Sequence, residues 1–451
     1  MDISQLRNKR ISVIGAARSG LAVAKLLQSQ GSLVFVSDTT GPENLKTEAQ
    51  VLDELGIAHE LGGHSDRVYD CSLIVVSPGV PSNAPVIVEA RTRGLHVVSE
   101  VEVASWFCRS PIIAITGSNG KTTTTTLIGR ILGDAKKKHA VAGNIGTAFS
   151  SVVLELAPTD LAVLEISSFQ LDHCESFRPR ISAIMNITQN HMDRYDHSME
   201  LYAGSKARIF MNQRDDDALI YDADDEQTVR IVQSARCRRI PFSIRQRYTE
   251  GAFVENGIMV TALEGKRTGV ISVDDISIKG PHNLYNAMAA ALVGQLTGIG
   301  TASIRATLKN FKGVEHRQEF VREVNGVRYF NDSKATSVEA VWYALQAYDQ
   351  PIVLMLGGRD KGNDYSRILD LVQKHVRAIV AMGESAEKVE TAFSGTTPVR
   401  RAHSIDEAVQ LAQSLAQRED VVLLSPACAS FDWFENYEQR GRVFKELVKN
   451  L

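Results

Sequence analysis

Residues Pro111–Leu132 have the sequence PIIAITGSNGKTTTTTLIGRIL, which predicts a strand, a glycine-containing turn and a helix in succession. Ile112–Ile115 is a short apolar run typical of a buried strand, Thr116–Gly120 predicts the turn, and the helix is expected from Thr122. A strand–loop–helix of this kind binds phosphates through backbone N–H groups, and Lys121 would bring a positive charge to the outer phosphates. The stretch therefore predicts an α/β nucleotide-binding domain.

The spacing of this loop differs from the common motif G-x-x-x-x-G-K-[ST], because Ile115 stands at the first glycine position. A glycine turn that only joins a core strand to a helix is therefore a structural alternative. Lys121 argues against it, since a lysine at the positive end of a helix dipole is unfavourable unless an anion is present. Thr122 would offer its hydroxyl oxygen to a Mg²⁺ ion on the β- and γ-phosphates.

Length and composition limit the class of protein. A chain of 451 residues is too long for one hydrophobic core and predicts about three domains. The net charge of −3 disfavours general nucleic-acid binding, which needs a basic surface. The five cysteines are scattered without a C-x-x-C pair, which fits a reducing cytosol and gives no structural zinc site. Without a signal peptide or an 18-residue apolar run, we expect a soluble, cytoplasmic protein with no membrane insertion.

Residues 1–107 alternate predicted strands and helices, which favours a mostly parallel, Rossmann-like sheet with ligands at the carboxyl ends of its strands. The turn Gly15–Gly20 is followed about 20 residues later by Asp38, an arrangement similar to the dinucleotide fingerprint. Ala17 stands where the second glycine should be, so NAD is less favoured than another nucleotide. A turn that serves packing alone stays open as a third interpretation.

Two further strands in residues 108–312 are followed by candidate metal ligands. Glu165 ends an apolar strand downstream of the phosphate loop, where nucleotide enzymes hold Mg²⁺, although a structural role in capping the next turn is the alternative. The predicted strand Ile181–Ile187 is followed by a polar segment containing His191, and a neutral imidazole can complete a metal site. We favour the metal-site interpretation for both residues.

Other polar positions in this region are less informative by themselves. Lys206 lies on a predicted helix and is most simply a surface lysine, and the acidic runs Asp215–Asp217 and Asp222–Glu226 are expected to be solvated loops. Asn283 and Asn286 lie three residues apart at the start of a predicted helix, on one face. Helix capping would explain one of them, and nucleotide contact would explain both.

Residues 313–451 return to strand–helix alternation, which predicts a second Rossmann-like sheet. Four predicted strands each end in a polar or glycine-rich turn, where a ligand would bind. Lys334 and Lys361 lie on these turns, and each alone is most simply a solvated lysine. An anionic substrate could be framed by these lysines together with Arg317, Ser430 and Tyr437.

Ten segments, taken together and in this order, resemble the ATP-dependent Mur ligase family of bacterial cell-wall synthesis over nearly the whole length. They are TGSNGKTT, GNIG, EISSFQL, NHMDRY, YAGSKARIF, HNLYNA, HRQE, NDSKATS, GGRDKG and SPACASFDWFENYEQRG. The resemblance implies three domains: residues 1–107 for the UDP moiety, 108–312 as a central P-loop ATPase with a mostly parallel sheet, and 313–451 for the incoming amino acid. NDSKATS and SPACASFD point to the branch of the family that adds D-glutamate.

The resemblance also implies roles for individual residues on the ATP side. The phosphate-binding loop corresponds to Gly117, Ser118, Asn119, Gly120, Lys121, Thr122 and Thr123. Further ATP contacts correspond to Asn283, Asn286, Arg317 and Asp332. The Mg²⁺ ligands correspond to Thr122, Glu165, His191 and Lys206, the last as a carbamate. The catalytic residues are then expected to be Lys121, His191 and Lys206.

Two more sets of residues follow from the same resemblance. Contacts to the UDP-sugar correspond to Asp38, Thr39, Ser77, Pro78, Gly79 and Asn144. Contacts to D-glutamate correspond to Lys334, Thr336, Lys361, Ser430, Phe431 and Tyr437. Asn190 departs from the family pattern, because an acid often precedes the histidine at this position.

The function implied is an ATP- and Mg²⁺-dependent ligase of peptidoglycan precursor synthesis, acting as a monomer on small-molecule substrates. The L-alanyl carboxylate of a UDP-N-acetylmuramoyl-L-alanine substrate would take the γ-phosphate of ATP, and the amine of D-glutamate would displace phosphate from the acyl phosphate. Three alternatives remain: a folylpolyglutamate-synthase-like ligase without the N-terminal UDP domain, a nicotinamide-dependent oxidoreductase, and a non-catalytic nucleotide-binding regulator.

Overall fold

The computed structural model describes residues 6–189, 192–360 and 362–451, and for Asp193 and Glu339 it describes the backbone alone. Within these residues the strands form three sheets, of five, nine and six strands. Two compact units contain them: Met1–Phe311 holds the first two sheets, and Lys312–Leu451 holds the third. The α/β class predicted from the sequence is confirmed, whereas the predicted boundary after residue 107 stays a prediction.

The first sheet is entirely parallel and has the strand order β3-β2-β1-β4-β5. Its strands are β1 Arg10–Ile14, β2 Leu33–Asp38, β3 Ala58–Leu61, β4 Leu73–Val76 and β5 Val97–Ser99. The accompanying helices are α1 Arg18–Ser29, α2 Lys46–Glu54, α3 Pro85–Thr92 and α4 Glu100–Phe107. The strand order reverses between β1 and β4, and in sheets of this type the ligand crevice opens beyond the carboxyl ends of those two strands.

The second sheet has the order β14-β13-β12-β11-β10-β9-β6-β8-β7, parallel from β7 to β12 and antiparallel through β13 and β14. Its strands are β6 Ile112–Thr116, β7 His139–Gly143, β8 Leu161–Glu165, β9 Ile181–Ile184, β10 Ala218–Asp222, β11 Arg238–Ser243, β12 Gly251–Glu255, β13 Ile258–Leu263 and β14 Lys266–Ser272. Its helices are α5 Lys121–Asp134, α6 Phe149–Val152, α7 Ser168–Leu171, α8 Met199–Ala207, α9 Glu226–Val232, α10 Pro281–Leu296 and α11 Thr301–Asn310. The phosphate loop follows β6, which lies between β8 and β9.

The outer edge of this sheet is covered by a side chain. Arg305 on α11 donates from Nε to the carbonyl oxygen of Val270 at 2.5 Å and from Nη2 to that of Gly269 at 3.1 Å. Both carbonyls belong to the edge strand β14. Their hydrogen-bonding capacity is therefore used within the same chain.

The third sheet has the order β15-β16-β20-β17-β18-β19, with β15 antiparallel to β16 and the other pairs parallel. Its strands are β15 Glu319–Val324, β16 Val327–Asn331, β17 Ile352–Gly357, β18 Val376–Met382, β19 Val399–Arg401 and β20 Val421–Leu424. Its helices are α12 Val338–Leu345, α13 Leu369–His375, α14 Ala386–Ala392, α15 Ile405–Leu415 and α16 Tyr437–Lys449. Separate apolar clusters lie on its two faces, as expected for a sheet covered by helices on both sides.

A buried carboxylate on α4 connects the first sheet to the segment before β9. Glu102 accepts hydrogen bonds from the backbone N–H groups of Glu175, Ser176 and Phe177, at 3.1, 2.9 and 2.9 Å. The indole N–H of Trp106 and the Ser176 hydroxyl donate to the same carboxylate. Five donors thus converge on one buried carboxylate. These hydrogen bonds hold α4 against residues 175–177, which precede β9 of the second sheet.

The prediction that the acidic runs are solvated loops is wrong for three of their residues. Asp217 is buried and forms an ion pair with Arg178 at 2.7 Å. Asp222 is buried at the end of β10, and Asp225 caps α9 by accepting from the backbone N–H of Thr228 at 2.7 Å. These carboxylates hold backbone and guanidinium groups, which composition alone does not show.

In the described part of the chain, no helix has the length and apolar character needed to cross a membrane.

Candidate functional site

At two positions the phosphate loop has a backbone conformation that only glycine adopts without strain. Gly120 has φ +82° and precedes α5, which begins at Lys121, one residue before the predicted start. A Cβ atom on Gly120 would lie 2.5 Å from Oδ1 of Asn286. Gly117 has φ +146°, and a Cβ atom there would lie 2.9 Å from the Cβ of Met185. The tight loop therefore depends on both glycines.

The segment after β9 holds the loop in place. The backbone N–H of Ser118 donates to the carbonyl of Asn186, and that of Asn119 donates to the Asn186 side-chain oxygen, both at 2.9 Å. The Ser118 hydroxyl donates to the carbonyl of Thr188 and accepts from its N–H group, both at 2.9 Å. Sequence reasoning missed Asn186 and Thr188; their signal was a pair of short polar residues at the end of the strand next to the phosphate-loop strand.

Two lysines lie together beneath the loop. Lys121 donates from Nζ to the carbonyls of Gly117 and Ser118 at 2.8 and 2.9 Å, and Lys206 donates to Gly117 at 2.9 Å. Lys206 is 1% exposed, with Nζ 4.5 Å from the centre of the Tyr202 ring, so it is not the surface lysine expected for an isolated position. Burial, and then the charge of Lys121, hold the pKa of Lys206 well below its usual range.

Glu165 lies at the end of β8 and is 2% exposed. Its Oε1 accepts from the side-chain amide of Asn144 at 2.9 Å, whereas no described residue donates to the buried Oε2. The alternative capping role is wrong, because Ser167 caps the next helix through a capping box with Gln170. The unsatisfied carboxylate oxygen of Glu165 and the hydroxyl oxygen of the buried Thr122 are both hard oxygen ligands of the type that Mg²⁺ prefers.

Asn286 and Asn283 lie at the start of α10 and connect it to the phosphate-loop helix. The Asn286 side-chain oxygen accepts from the hydroxyl of Thr124 at 3.1 Å, and its amide donates to Asn283 at 3.1 Å. Asn283 donates to the carbonyl of Lys279 at 2.8 Å. Gly280 is the N-cap residue, so neither asparagine caps this helix. Capping is thus removed as an explanation for the pair.

A cavity of about 1020 Å³ opens beyond β1 and β4, at the reversal point of the first sheet. All six residues predicted to contact the UDP-sugar line it: Asp38, Thr39, Ser77, Pro78, Gly79 and Asn144. The Asp38 carboxylate accepts from the N–H groups of Ala16 at 2.6 Å and Thr40 at 2.7 Å. The carboxylate therefore fixes the shape of the two turns that border the cavity.

Two arginines that sequence reasoning missed connect this cavity to the second sheet's loops. Arg18 lines the cavity and donates from Nη1 to the carbonyl of Gly146 at 2.6 Å. Arg194 donates to the carbonyls of Pro78 at 3.2 Å and Gly79 at 3.1 Å. The two guanidinium groups thus join turns of the first sheet to segments that follow β7 and β9. No local sequence pattern marks either contact.

In the second unit, Asp332 follows β16 and is buried. Its carboxylate accepts from the Ser425 hydroxyl at 2.8 Å and from the Gln318 N–H at 3.2 Å. Burial raises the pKa of Asp332 to about 7, and these hydrogen bonds and the Arg317 charge oppose the rise. Nε of Arg317 is buried without an acceptor among the described residues. The turn thus combines a buried acid of raised pKa with a guanidinium group whose Nε has no described acceptor.

Five residues predicted to contact D-glutamate lie on two segments of this unit, residues 334–336 after β16 and 430–437 before and at the start of α16. Nζ of Lys334 lies 5.7 Å from the centre of the Tyr437 ring, and Ser430 is buried. Phe431 is 57% exposed. The two remaining predicted site residues of the chain, His191 and Lys361, lie outside the described residues.

Arg440 connects the turns that carry these residues and was missed from the sequence. It is buried, and it donates to the Ser333 hydroxyl at 2.9 Å, to the Ser333 carbonyl at 2.8 Å and to the Cys428 carbonyl at 3.2 Å. Burial lowers the pKa of Arg440 to about 10. The side chain therefore holds the turn after β16 against the turn after β20.

Models of protein families match three parts of the chain. The Mur ligase middle domain matches residues 115–294, and the domain described as Mur ligase, glutamate ligase domain matches residues 316–428. The MurD N-terminal domain matches residues 10–86. The match to the middle domain contains the phosphate loop, and the match in the second unit contains the turn after β16. The match to the N-terminal domain contains the first strands of the sheet that borders the cavity.

Curated relatives are similar over the full length. The UDP-N-acetylmuramoylalanine–D-glutamate ligase of Salinibacter ruber is 46% identical over 461 residues, and that of Chloroherpeton thalassium is 48% identical over 468 residues. Both alignments cover 100% of this chain and 100% of the relative. The corresponding ligase of Chlorobium limicola is 45% identical and covers 99% of each chain.

Solved structures share the fold at low identity. MurC of Thermotoga maritima superposes with a TM-score of 0.60 at 19% identity, covering 98% of this chain and 99% of the other. MurF of Acinetobacter baumannii gives 0.60 at 16% identity, covering 96% and 93%. FolC of E. coli, solved with DHPP and ADP, gives 0.59 at 15% identity and covers 78% of this chain and 92% of its own.

Proposed function

The chain belongs to the Mur ligase family, and we propose that it joins D-glutamate to UDP-N-acetylmuramoyl-L-alanine, converting ATP to ADP and phosphate. The observation that carries this proposal is the full-length identity of 45–48% to three D-glutamate ligases. The product is a precursor of peptidoglycan. The match of the MurD N-terminal domain to residues 10–86 disfavours a folylpolyglutamate-synthase-like ligase, which would lack that domain.

ATP binding is supported by the loop between β6 and α5. Its left-handed glycines shape a turn at the positive end of the α5 dipole, which favours a phosphate group. Lys121 lies at that helix end, with its ammonium group on two loop carbonyls. A triphosphate would give this cation stronger acceptors than neutral carbonyls. The loop therefore binds the phosphates, and Lys121 stabilises the charge that develops during transfer.

We propose Mg²⁺ as the cofactor, held by Thr122, Glu165, His191 and a carbamate on Lys206. The buried, unsatisfied Oε2 of Glu165 supports this donor set. When bound, the ion neutralises phosphate charge during transfer of the γ-phosphoryl group. Burial lowers the pKa of Lys206, which favours the neutral amine, and that amine can add to CO₂ with loss of a proton to become an anionic carbamate.

The chemistry requires activation because a carboxylate is a poor acceptor for an amine in water. The L-alanyl carboxylate forms a bond to the γ-phosphorus as the bond to ADP breaks, giving an acyl phosphate. The neutral amine of D-glutamate then attacks the acyl carbon, phosphate leaves, and the amine loses a proton as the amide forms. Exclusion of water from the site protects the acyl phosphate from hydrolysis.

The remaining roles follow from the same proposal. The six residues predicted to contact the UDP-sugar share one cavity, which supports their assignment. Arg317 and Asp332 stay predicted ATP contacts, and Lys334, Thr336, Lys361, Ser430, Phe431 and Tyr437 stay predicted D-glutamate contacts. We propose that the enzyme acts as a monomer in the cytoplasm, where ATP and UDP-sugars are supplied. Sedimentation at several protein concentrations tests the monomer.

The decisive experiment measures ADP release with the alanyl UDP-sugar, offering D-glutamate, L-glutamate, L-lysine or diaminopimelate. We expect ADP release and amide formation with D-glutamate alone. Lys121→Met should lower the rate by at least about 1,000-fold, as lost phosphate-stabilising cations do. Lys25→Ala, an exposed lysine on α1, is the matched control and should keep wild-type activity. Turnover by Lys121→Met at the wild-type rate, or a preference for another amino acid, would refute the proposal.

A further inference from the structure

Arg194 connects two segments that are far apart in sequence. It lies in the short 3₁₀ helix Met192–Tyr195, which follows β9. Its Nη1 donates to the carbonyl of Pro78 at 3.2 Å, and its Nη2 donates to the carbonyl of Gly79 at 3.1 Å. The guanidinium carbon also lies 4.1 Å from the centre of the Phe169 ring. One half-buried side chain therefore contacts a turn of the first sheet and a residue that follows β8 of the second.

These contacts lie beside groups to which the proposed function gives a role. The two acceptor carbonyls belong to the turn after β4, which lines the large cavity and is predicted to contact the UDP-sugar. Phe169 comes four residues after Glu165, and Arg194 comes three residues after His191. Both of those residues are proposed ligands of Mg²⁺. Arg194 thus connects the part of the chain that would hold the nucleotide end of the substrate to the segments that carry two proposed metal ligands.

The backbone that follows Arg194 depends on contacts of this kind. Asp196 and His197 have φ values of +48° and +56°, so two consecutive residues other than glycine are in the left-handed region. The N–H group of His197 donates to the carbonyl of Met192 at 2.9 Å and closes the turn. Strained backbone of this type persists where the surrounding structure holds it. The bonds from Arg194 to the first sheet supply such a restraint on one side of residues 192–198.

We propose that Arg194 is a positioning residue that holds residues 192–198 in register with a bound UDP-sugar, an inference that rests on the proposed function. A planar guanidinium group presents its N–H donors in a fixed fork, so it can bond two successive carbonyls in one geometry. A ligand that immobilises the turn after β4 then restrains residues 192–198 through this side chain. The L-alanyl carboxylate is thereby placed for attack on the γ-phosphorus, where a displacement of about 1 Å costs about 100-fold in rate.

The first test measures backbone hydrogen exchange by mass spectrometry, with UDP as the ligand and without magnesium or ATP. In wild type, UDP should slow exchange in residues 77–80 and also in residues 192–198. Arg194→Met keeps an apolar stem on the Phe169 ring and removes both donors. Its protection by UDP should remain in residues 77–80 and be lost from residues 192–198. Protection of residues 192–198 in both proteins, or in neither, would overturn the inference.

The second test separates kcat from KM in ADP release with the alanyl UDP-sugar and D-glutamate. Arg194→Met should lower kcat by about 10- to 100-fold, because the reacting carboxylate is misplaced. The Kd for UDP, measured by calorimetry, and the KM for ATP should change by less than about threefold. Arg194→Lys keeps the charge without the planar fork and should recover part of kcat. Arg267→Met removes an exposed guanidinium group 5.0 Å from the Phe253 ring, and this matched control should behave as wild type.

The outcomes distinguish positioning from a contact that only shapes the cavity. A raised Kd for UDP with unchanged kcat in Arg194→Met would overturn the inference, as would wild-type values of both. Urea unfolding shows whether each variant is folded, and Arg194→Lys is judged by the same measurements if Arg194→Met does not fold. A wild-type protein that binds UDP but releases no ADP would overturn the proposed function, whereas the exchange experiment requires no turnover.

Discussion

The amine nitrogens of Lys121 and Lys206 donate to one acceptor, the carbonyl oxygen of Gly117, at 2.8 and 2.9 Å. Two ammonium ions that share one acceptor repel each other, and this repulsion adds to the cost of burying a charged Lys206. The arrangement therefore favours a charged Lys121 beside a neutral Lys206. One lysine is suited to phosphate binding, and the other to covalent modification by CO₂.

The carbamate on Lys206 can be tested by chemical rescue. Lys206→Ala should lower turnover by about 10- to 100-fold, because it removes an anionic ligand from the metal site. Loss of groups that support metal ligands has effects of this size. Added formate or acetate should restore part of the ADP release, since a small carboxylate can occupy the space of the carbamate. Lys25→Ala should neither lose activity nor respond to acetate. Failure of rescue in a folded, ATP-binding variant would leave Lys206 as an unmodified structural lysine.

Gly120→Ala tests the backbone geometry of the phosphate loop. Alanine must adopt φ +82°, and its Cβ would lie 2.5 Å from Asn286, so we expect a loss of about 1–3 kcal/mol in unfolding free energy and weaker ATP binding. Gly257→Ala is a matched control, because Gly257 has φ +74° with nothing within 4 Å of the added Cβ. The control should lose about 1–2 kcal/mol, the cost of the left-handed backbone conformation for alanine, and should bind ATP normally. Equal ATP binding by both variants would contradict this account.

Glu102→Gln tests the carboxylate that connects α4 to residues 175–177. The glutamine amide would place N–H donors against the N–H groups that now donate to the carboxylate. We therefore expect the free energy of unfolding, measured in urea, to fall by about 2–4 kcal/mol. Glu155→Gln, at an exposed position, should change stability by less than about 0.5 kcal/mol. A Glu102→Gln protein as stable as wild type would show that these hydrogen bonds contribute little.

His173 should make stability depend on pH. Burial, and then the charges of Arg91 and Arg208, lower its pKa to about 4, against 6.5 for the unfolded chain. Between these values the unfolded state binds a proton that the folded state excludes, so stability falls as pH falls from 6.5 to 4, by up to about 3 kcal/mol. His173→Gln should flatten this part of the pH profile, whereas His197→Gln, at an exposed position, should not. Parallel profiles for wild type and His173→Gln would contradict the assignment.

Local pattern predicted the phosphate loop because strand, turn and helix are consecutive. The predicted strand, Ile112–Ile115, and the predicted helix start each lie within one residue of the structure. The predicted strand Ile181–Ile187 was too long, since β9 ends at Ile184 and the next residues leave the sheet to bind the phosphate loop. Apolar character alone cannot separate those two uses of a hydrophobic run.

The burial of Lys206 and the contacts of Arg18 could not be predicted in this way. Lys206 is buried because the phosphate loop, 89 residues earlier, supplies its acceptor, and Arg18 bonds to a turn 128 residues later. Such partners are brought together by the packing of distant elements, and neither position has a distinctive local sequence. The resemblance to a known family located Lys206, and the cavity was needed to single out Arg18.

The bonds from Arg305 to the edge of β14 also affect behaviour in a crowded solution. A strand from a second molecule can extend a sheet only where outward-facing acceptors are available, and those of Gly269 and Val270 are already bonded. Arg305→Ala would expose them, turning this edge into a template for self-association during purification or overexpression. One guanidinium group thus occupies two acceptors that a further strand would need at this part of the edge.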